Sequence, residues 1–456
     1  MRLSLFAAAI SLLLAAGGCS LVPGDTPAEQ SRMQAAGRAY QAPFSRRVLP
    51  ELPLSPQWPE VLRRAFLANG DLEAAYYEWQ AALARVRLAG AYPNTNLALG
   101  YQYMFSGENM KAFDRGTFIA GTDPAMNLSL PAKVAQAAQV ALEEAKAKGK
   151  RFEAAKFALQ QKVLTQYYDM ALTAERLRIQ QETADLLKMV VDVSAQQVRG
   201  GAAQVDVLKA QTEYAMAQDE LANMKVELAS MRAMLNGMLA RSPDAPLEPP
   251  AQLPAPRPLP LDDAQLLQAA MQRNPELAEL AFQAQARQQA IELARMAWWP
   301  DFFVQVSIQG SIQQALMAMV MLPVNAPAIQ AGIDEADAMH QAALAMLRQG
   351  GFDRAGQFVA TLQAVHNHER QAALYRDDII PRSRQAFDNS LQAYTGGVIG
   401  FADVIDSLRV LLGARQSLAQ ARMNREKRLA ELETLLGADL EALKTPATTS
   451  QATSQP

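Results

Sequence analysis

The stretch "YTGGVIGFADVIDS" at residues 394–407 has a near copy upstream, "VRGGAAQVDVLKA" at 198–210. In both stretches an aspartate follows a glycine by six residues, so Asp403 corresponds to Asp206. Long segments rich in Ala, Gln, Glu and Leu flank each stretch and favour helix. Because glycine adopts the backbone dihedrals at which a helix ends, each stretch is predicted to reverse a helical hairpin.

Composition limits the function. The chain has 456 residues, half of them apolar, which is enough to bury a large core. Its formal net charge of -3 and the lack of a Lys/Arg-rich run with aromatics argue against a nucleic-acid partner. With three histidines and no Ser/His/Asp, Cys/His or phosphate-cradling glycine motif, the chain is predicted to be no enzyme and to need no cofactor.

The amino terminus reads as a secretory signal. Arg2 precedes "LSLFAAAISLLLAAGG", an apolar run too short to span a bilayer, so residues 1–18 are predicted to be a signal peptide. Cys19, the only cysteine, sits where the lipobox of bacterial lipoproteins places its acylated thiol. The residue after Cys19 is Ser20 and not an Asp, which by resemblance to that class favours sorting to the outer membrane. The alternative is a plain signal peptide with an incidental cysteine.

The rest of the chain divides into two repeats with flanking segments. Residues 19–57 are aperiodic and predicted to be a lipidated extended arm, and the Pro-rich 242–260 is a connector through which no helix continues. Residues 441–456 are a polar, disordered tail. Between them, 58–241 and 261–440 each run helix, short apolar region, long helix, glycine turn, helix.

Two long segments in these repeats are predicted to be helical. From Pro131 to Arg199 there is no internal proline, and from Pro327 to Tyr394 the only one is Pro381. At 1.5 Å per residue, one such helix would reach roughly 100 Å. Apolar residues are sparse in these segments and many of them are alanine, which predicts close, coiled-coil-like helix packing. An extended soluble tether would have a similar pattern.

Short segments before these helices are predicted to be strands. In "NLALGYQYMF" (96–105) and "FFVQVSIQG" (302–310), one side is apolar while the other includes most of the polar residues. Returning strands are predicted at "AMNLSL" (125–130) and "ALMAMVML" (315–322). Such two-faced strands suit a barrel with lipid outside and water inside, and a soluble sheet lying on the helices is the alternative. Four strands leave open edges, which are costly in lipid, so three chains would pool twelve.

Together these features resemble the TolC family of outer-membrane efflux proteins over about residues 58–440. The family pattern of Tyr, two residues, Gly, five residues, Asp, Val, aliphatic and Asp is met by Tyr394, Gly397, Asp403, Val404, Ile405 and Asp406. The resemblance implies a mainly α protein with a small membrane β part. It implies a homotrimer whose 12-stranded β-barrel, with four strands per chain, continues into a long α-helical periplasmic barrel.

The resemblance also implies a function. The chain would be the outer-membrane exit duct of a tripartite efflux system, lipid-anchored and extending into the periplasm. It would passively conduct substrates that an inner-membrane transporter, such as an RND pump, exports through a periplasmic adaptor. "NGDLEAAYYEWQAALARV" and "LPVNAPAIQAGIDEADAM" resemble the heavy-metal branch. The alternatives are a duct for type I protein secretion and a lipid-anchored coiled-coil scaffold without a pore.

The family places both glycine turns at the periplasmic tip, which nominates two groups of site residues. The predicted gate residues are Asp403, Asp406 and Tyr394, and the predicted adaptor-docking residues are Gly200, Gly201, Gly397 and Asp206. Asp403 and Asp406 share a helix face, so three chains would form a ring of carboxylates that holds cations. The alternative is ordinary helix-start acids on a solvated surface. Some relatives have a gate arginine where this chain has Ile399, so that latch is not expected.

The chain also has two groups of side chains of the types that bind metals. His366 and His368 are two apart on a predicted helix and point in different directions, so no metal site is predicted there. Met317, Met319 and Met321 would share one strand face, and thioethers suit Cu(I). Apolar filling is the other reading of these methionines.

Overall fold

A computed structural model of the chain describes residues 21–92, 97–106, 109–122, 128–199 and 204–444. Cys19, Gly200 and Gly201, for which roles were predicted, lie outside these ranges. So do residues 445–456 of the predicted tail.

The first α-helix of the described residues is α1 (Thr26–Ala36), and the two repeats follow it. The elements of the first repeat are α2 (Trp58–Ala68), α3 (Gly70–Ala89), β1 (Leu97–Tyr103), β2 (Gly116–Thr122), α4 (Pro131–Arg199) and α5 (Gln204–Met238). Those of the second are α6 (Asp263–Arg273), α7 (Pro275–Arg295), β3 (Asp301–Gln309), β4 (Gln313–Met321), α8 (Ala326–Leu374), a π-helical turn (Tyr375–Ile379), α9 (Ile380–Thr395) and α10 (Phe401–Leu436). The element order is the same in both halves, except that a π-helical turn divides α8 from α9 where the first half has the single helix α4.

Corresponding elements also have corresponding lengths and breaks. Helices α2 and α6 both have 11 residues, and the returning helices α5 and α10 have 35 and 36. An asparagine separates the first two helices of each half. The side-chain oxygen of Asn69 accepts the N–H groups of Asp71 and Leu72, at 3.0 and 3.1 Å, and so starts α3. In the second half Asn274 precedes Pro275, which starts α7.

The long helices form where they were predicted. Helix α4 is continuous over 69 residues. In the second half the helix is interrupted by the π-helical turn just before Pro381. Proline lacks an N–H group and its ring clashes with the carbonyl four residues earlier. A wider turn at this point accommodates both effects.

The four strands form one antiparallel sheet in the order β1-β2-β3-β4. Three strands lie where they were predicted, but the prediction of a strand at 125–130 is wrong. The returning strand is β2, while Leu128 makes only an isolated bridge to Phe302 and residues 123–127 are outside the described ranges.

Glycines explain why β2 was missed. They weaken the strand signal in the sequence, but cross-strand contacts require them. A Cβ at Gly116 would meet the Tyr101 ring, and one at Gly121 would lie 2.9 Å from the Cα of Gln305 on β3.

Residues 19–57 were predicted to be an extended arm, and this prediction is wrong in part, because α1 lies within the arm. Pro27 lies in the first turn of this helix, where a proline is tolerated. The buried Glu29 accepts the indole N–H of Trp79 at 3.0 Å and pairs with Arg32 at 3.0 Å. The contact with Trp79 on α3 is long-range, so local sequence periodicity did not indicate the helix.

The described chain forms two compact units, and both repeats contribute to each. The first unit includes the sheet and takes in Ala74–Phe152 and Glu276–Gly351, together with residues up to Gln41. The second takes in Ala42–Glu73, Glu153–Pro275 and the chain from Phe352 onward. Among the helices of the described residues, none combines the length and the apolar character needed to cross a membrane.

Candidate functional site at the tip of the helical hairpins

The second glycine turn connects α9 to α10 and requires glycine at one position. Gly397 has φ +71°, a left-handed conformation that side chains with a Cβ rarely adopt. The N–H of Gly397 donates to the Tyr394 carbonyl at 3.0 Å, and that of Val398 to the Ala393 carbonyl at 2.9 Å. These bonds satisfy carbonyls at the end of α9. A Cβ on Gly397 would meet no atom within 4 Å, so backbone conformation and not space demands the glycine.

Asp403 lies in the first turn of α10, where the sequence placed it. The Asp403 carboxylate accepts the backbone N–H of Gly400 at 3.3 Å, and this hydrogen bond caps the start of α10. Asp206 occupies the third position of α5, which corresponds to the position of Asp403 in α10. A negative charge at a helix start is stabilised by the helix dipole.

Asp406 is the second predicted gate carboxylate and is 77% exposed. It lies 3.8 Å from Arg409, which in turn binds Glu213 on α5 at 2.5 Å. Asp403 is exposed as well, whereas Val404 and Ile405 between them are buried. The two carboxylates are therefore available to a cation or a partner in the single chain.

Tyr394, the third predicted gate residue, is only 3% exposed in the single chain. Its hydroxyl lies 2.6 Å from the hydroxyl of Ser194 on α4. Ser194 also donates to the Val190 carbonyl at 2.8 Å, so Tyr394 is the donor of the bond between them. The bond joins the first hairpin to the second just before the glycine turn. No local sequence pattern points to Ser194, because the two residues are 200 positions apart in the chain.

A buried apolar cluster lies behind the turn, and we call it the tip cluster. Its buried members are Ala184, Leu187, Val190, Ala210, Ala217, Leu221, Phe387, Tyr394, Phe401, Val404, Ile405, Leu408 and Leu411. Ile399 packs against this cluster, a contact that a charged side chain at that position would not make. The turn is thus fixed on a packed base formed by both hairpins.

The Pro-rich connector contains a buried arginine that sequence reasoning missed. Arg257 binds Glu426 at 3.1 Å and Glu433 at 2.8 Å, both on α10 and both buried. Its guanidinium also lies 5.3 Å from the centre of the Trp58 ring. Burial raises the pKa of Glu433 because desolvation outweighs the attraction of Arg257. These contacts hold the connector against α10.

The sheet has an apolar face and a more polar face. Strand pairing places Leu316 opposite Val306 and Val320 opposite Phe302 on the apolar face. The predicted methionine row lies on the other face, where Met317 is opposite Gln305, Met319 opposite Phe303 and Met321 opposite Asp301.

His366 and His368 contact different groups. His366 Nε2 lies 3.0 Å from Asp263, and that hydrogen bond raises the pKa of His366. His368 Nδ1 lies 3.1 Å from the side chain of Gln371. Within the ranges that the structure describes, no three His, Cys, Asp or Glu side chains come together in a way that could hold a metal ion.

A four-stranded sheet with open edges, joined to long helical hairpins in two repeats, is the architecture of a TolC-like outer-membrane channel. The outer-membrane channel OprN has a TM-score of 0.71 and 18% identity, over 84% of this chain and 90% of that one. VceC from Vibrio cholerae has a TM-score of 0.71 and 16% identity, over 84% and 97%. CusC has a TM-score of 0.71 and 18% identity, over 87% and 97%. At these identities the likeness establishes the fold.

A family model also matches part of the chain, within the first repeat. The model of the family described as outer membrane efflux protein matches residues 61–241. No curated protein sequence matches the chain.

Proposed function

We propose that this protein is the outer-membrane exit duct of a tripartite efflux system. It passively conducts substrates that an inner-membrane transporter exports through a periplasmic adaptor. The proposal rests on one observation above all: among the described residues, β1 and β4 each have a strand partner on one side only. Because an open edge is costly in lipid, we infer that three chains close their four-stranded sheets into one twelve-stranded barrel.

The exposed side chains of the sheet support a membrane setting. Large apolar groups on its apolar face are exposed to the surroundings, and these are Leu99, Tyr101, Phe118, Leu316 and Val320. Register places them on the face opposite Gln305, Ser307 and Gln309. An apolar face of this kind needs a cover, and hydrocarbon outside a water-lined barrel supplies it.

A lipid anchor at Cys19 completes the proposed location in the outer membrane. Two residues later the N–H of Leu21 donates to the Gly90 carbonyl at 2.8 Å, just before β1. Metabolic labelling with palmitate tests the anchor. We expect label on the parent protein and none on Cys19→Ala, and label retained by the variant would contradict acylation at this cysteine.

The hairpin tips are the proposed contact with the periplasmic side of the system. We assign adaptor docking to the turns that contain Gly200, Gly201 and Gly397, with Asp206 at the start of the returning helix. The exposed Asp403 and Asp406 are assigned to a cation-holding ring in the trimer. The buried Tyr394 then contributes to the gate by fixing the turn through Ser194.

Planar-bilayer recording of the purified, full-length protein tests the proposed function. We expect stepwise ion conductance, together with a heat-modifiable trimer on gels. A lipid-anchored scaffold without a pore would give neither result. Cross-linking in cells then distinguishes a drug or metal pump from a type I secretion system by the inner-membrane protein that is captured.

A further inference from the structure

We propose that Met317, Met319 and Met321 of β4, which we call the methionine row, bind a soft monovalent metal ion such as Cu(I) or Ag(I). The binding chemistry belongs to the single chain, whereas the place of the row on the wall of a lumen rests on the proposed function. The inference adds to that function a class of substrate, soft metal cations, and a site that they contact during passage.

Methionine is concentrated on one face of β4. The chain has 20 methionines among 456 residues, but β4 has three among nine. Side chains alternate between the two faces of a strand, so the three methionines share a face. Strand pairing makes this the more polar face of the sheet, since the residues of β3 opposite the row are Gln305, Phe303 and Asp301.

The exposure of the row argues against a filling role. Met317, Met319 and Met321 are 46%, 41% and 36% exposed. Elsewhere the chain does use methionine to fill its core, since Met170 and Met423 are both fully buried. The thioethers of the row are therefore open to a ligand in the single chain.

The proposed barrel would leave the row uncovered as well. Among the described residues β4 pairs only with β3, so the next strand around the barrel would be β1 of another copy. Register places Gly100, in the middle of β1, on the face that carries the row, because Gly100 is opposite Ile119 and Ile119 is opposite Ser307. A glycine there has no side chain with which to cover the sulfurs.

The ligand type selects the metal. Thioethers are soft, uncharged ligands that suit Cu(I), and Ag(I) is a soft monovalent ion of the same kind. Hard cations such as Mg²⁺ and Ca²⁺ need oxygen ligands instead. The carboxylate nearest the row in register is that of Asp301, and it is already paired with Lys133 at 2.9 Å. The row thus favours soft cations over divalent ones.

The spacing of the row predicts two overlapping sites. Residues two apart on a strand are separated by about 7 Å, and the flexible methionine side chain allows two neighbouring sulfurs to converge on one ion. Met317 and Met321 are about 13 Å apart along the strand, too far to share an ion. Both pairs therefore include Met319, and the row holds one ion per chain. An ion that exchanges one sulfur at a time can move along the wall, as conduction through a pore requires.

Silver titration tests the binding site. Purified full-length protein is titrated with silver nitrate in a chloride-free buffer and followed by calorimetry. We expect the parent to bind one more Ag(I) per chain than Met319→Leu, which removes both pairs while keeping an apolar side chain of similar size. Met317→Leu and Met321→Leu each keep one pair, so they should retain the ion with about twofold weaker affinity.

Met234→Leu is the matched control, because Met234 is an exposed methionine on α5, outside the sheet. It should bind as much Ag(I) as the parent. Cys19 is the same in every variant, so any silver that it binds produces no difference between them. Equal binding by the parent and Met319→Leu would overturn the inference.

Planar-bilayer recording separates this inference from the proposed function. The reversal potential is measured across a potassium nitrate gradient before and after Ag(I) is added. Bound cations add positive charge to the lumen wall, so the potential should shift toward anion selectivity in the parent and in Met234→Leu but not in Met319→Leu. A conducting parent whose potential does not respond to Ag(I) would overturn the inference alone. A parent that does not conduct would contradict the proposed function, whatever the silver titration shows.

Discussion

Asp403 has two separable roles at the scale of a single residue. Its carboxylate accepts the N–H of Gly400, which caps α10, and it also presents an exposed negative charge. An asparagine keeps an oxygen acceptor and removes the charge. Asp403→Asn therefore tests the charge while leaving the cap in place.

Replacing Asp403 and Asp406 together by Asn should weaken cation selectivity and abolish block by divalent or trivalent cations applied from the periplasmic side. In a trimer, two carboxylates per chain repel one another, and bound cations relieve this repulsion. Salt screens it over about 8 Å at physiological ionic strength. Single-channel recording measures both properties, with Asp388→Asn, an exposed acid on α9, as control. A double variant with the parent's block and reversal potential would place these aspartates on the solvated outside of the helices.

Arg257→Met should destabilise the second compact unit by about 3–5 kcal/mol, because it leaves Glu426 and Glu433 buried without their partner. Heat or urea unfolding followed by circular dichroism measures the change. Arg428→Met is the control, since Arg428 forms an exposed pair with Glu431 and should cost less than about 1 kcal/mol. Equal effects of the two substitutions would show that the connector is not held by its buried charge.

Residues whose role depends on a distant partner were beyond sequence reasoning. Arg257 lies in the Pro-rich segment that was predicted to be a connector, and its partner Glu426 is 169 residues away in the chain. Tyr394 was predicted from its motif, but its burial against Ser194 on another hairpin was not. In contrast, the helix-start position of Asp403 follows from local spacing and was predicted.

At the scale of elements, local signals were sufficient where they were strong. The long helices, the Gly397 turn and strand β3 follow from propensity, glycine and alternation. Strand β2 was placed too late because "GTFIAGT" has two glycines, and only its neighbours Tyr101 and Gln305 show why glycine is needed. Helix α1 was missed because it depends on the contact between Glu29 and Trp79.

The exposed turn between α9 and α10 is the element that we expect to dock the adaptor. Val398 is 78% exposed and is not among the residues with a positive φ. Val398→Trp therefore adds bulk at the tip without straining the backbone. We expect it to reduce cross-linking to a co-expressed adaptor and to lower drug or metal resistance, while the trimer still forms.

Gly397→Asn is the matched control for the backbone of this turn, because asparagine tolerates φ +71° better than other side chains. It should retain most of the cross-linking. Gly397→Trp combines bulk with strain and should be at least as defective as Val398→Trp. Parent-like cross-linking and resistance in all three variants would remove the turn from the interface.

At the scale of the whole molecule, neither repeat forms a compact unit by itself. Both compact units take segments from both repeats, and β2 of the first repeat pairs with β3 of the second. The sheet therefore needs strands from both repeats. Within the part of the chain that the structure describes, its outer strands β1 and β4 have one neighbour each, and in the proposed assembly strands of other copies supply the second.

The two faces of β4 allow that assembly to be tested with adjacent residues. Leu316 lies on the apolar face and Met317 on the polar face, both near the middle of the strand and both exposed in the single chain. In a barrel, Leu316→Arg would place a charge in lipid at a cost of about 2–4 kcal/mol per chain, whereas Met317→Arg would face the aqueous lumen. We expect Leu316→Arg to abolish heat-modifiable trimers and membrane insertion, and Met317→Arg to assemble with altered ion selectivity. Carbonate extraction, gel mobility and bilayer recording measure these outcomes. If both variants assemble equally well, lipid does not cover the apolar face, and the sheet is a soluble structure.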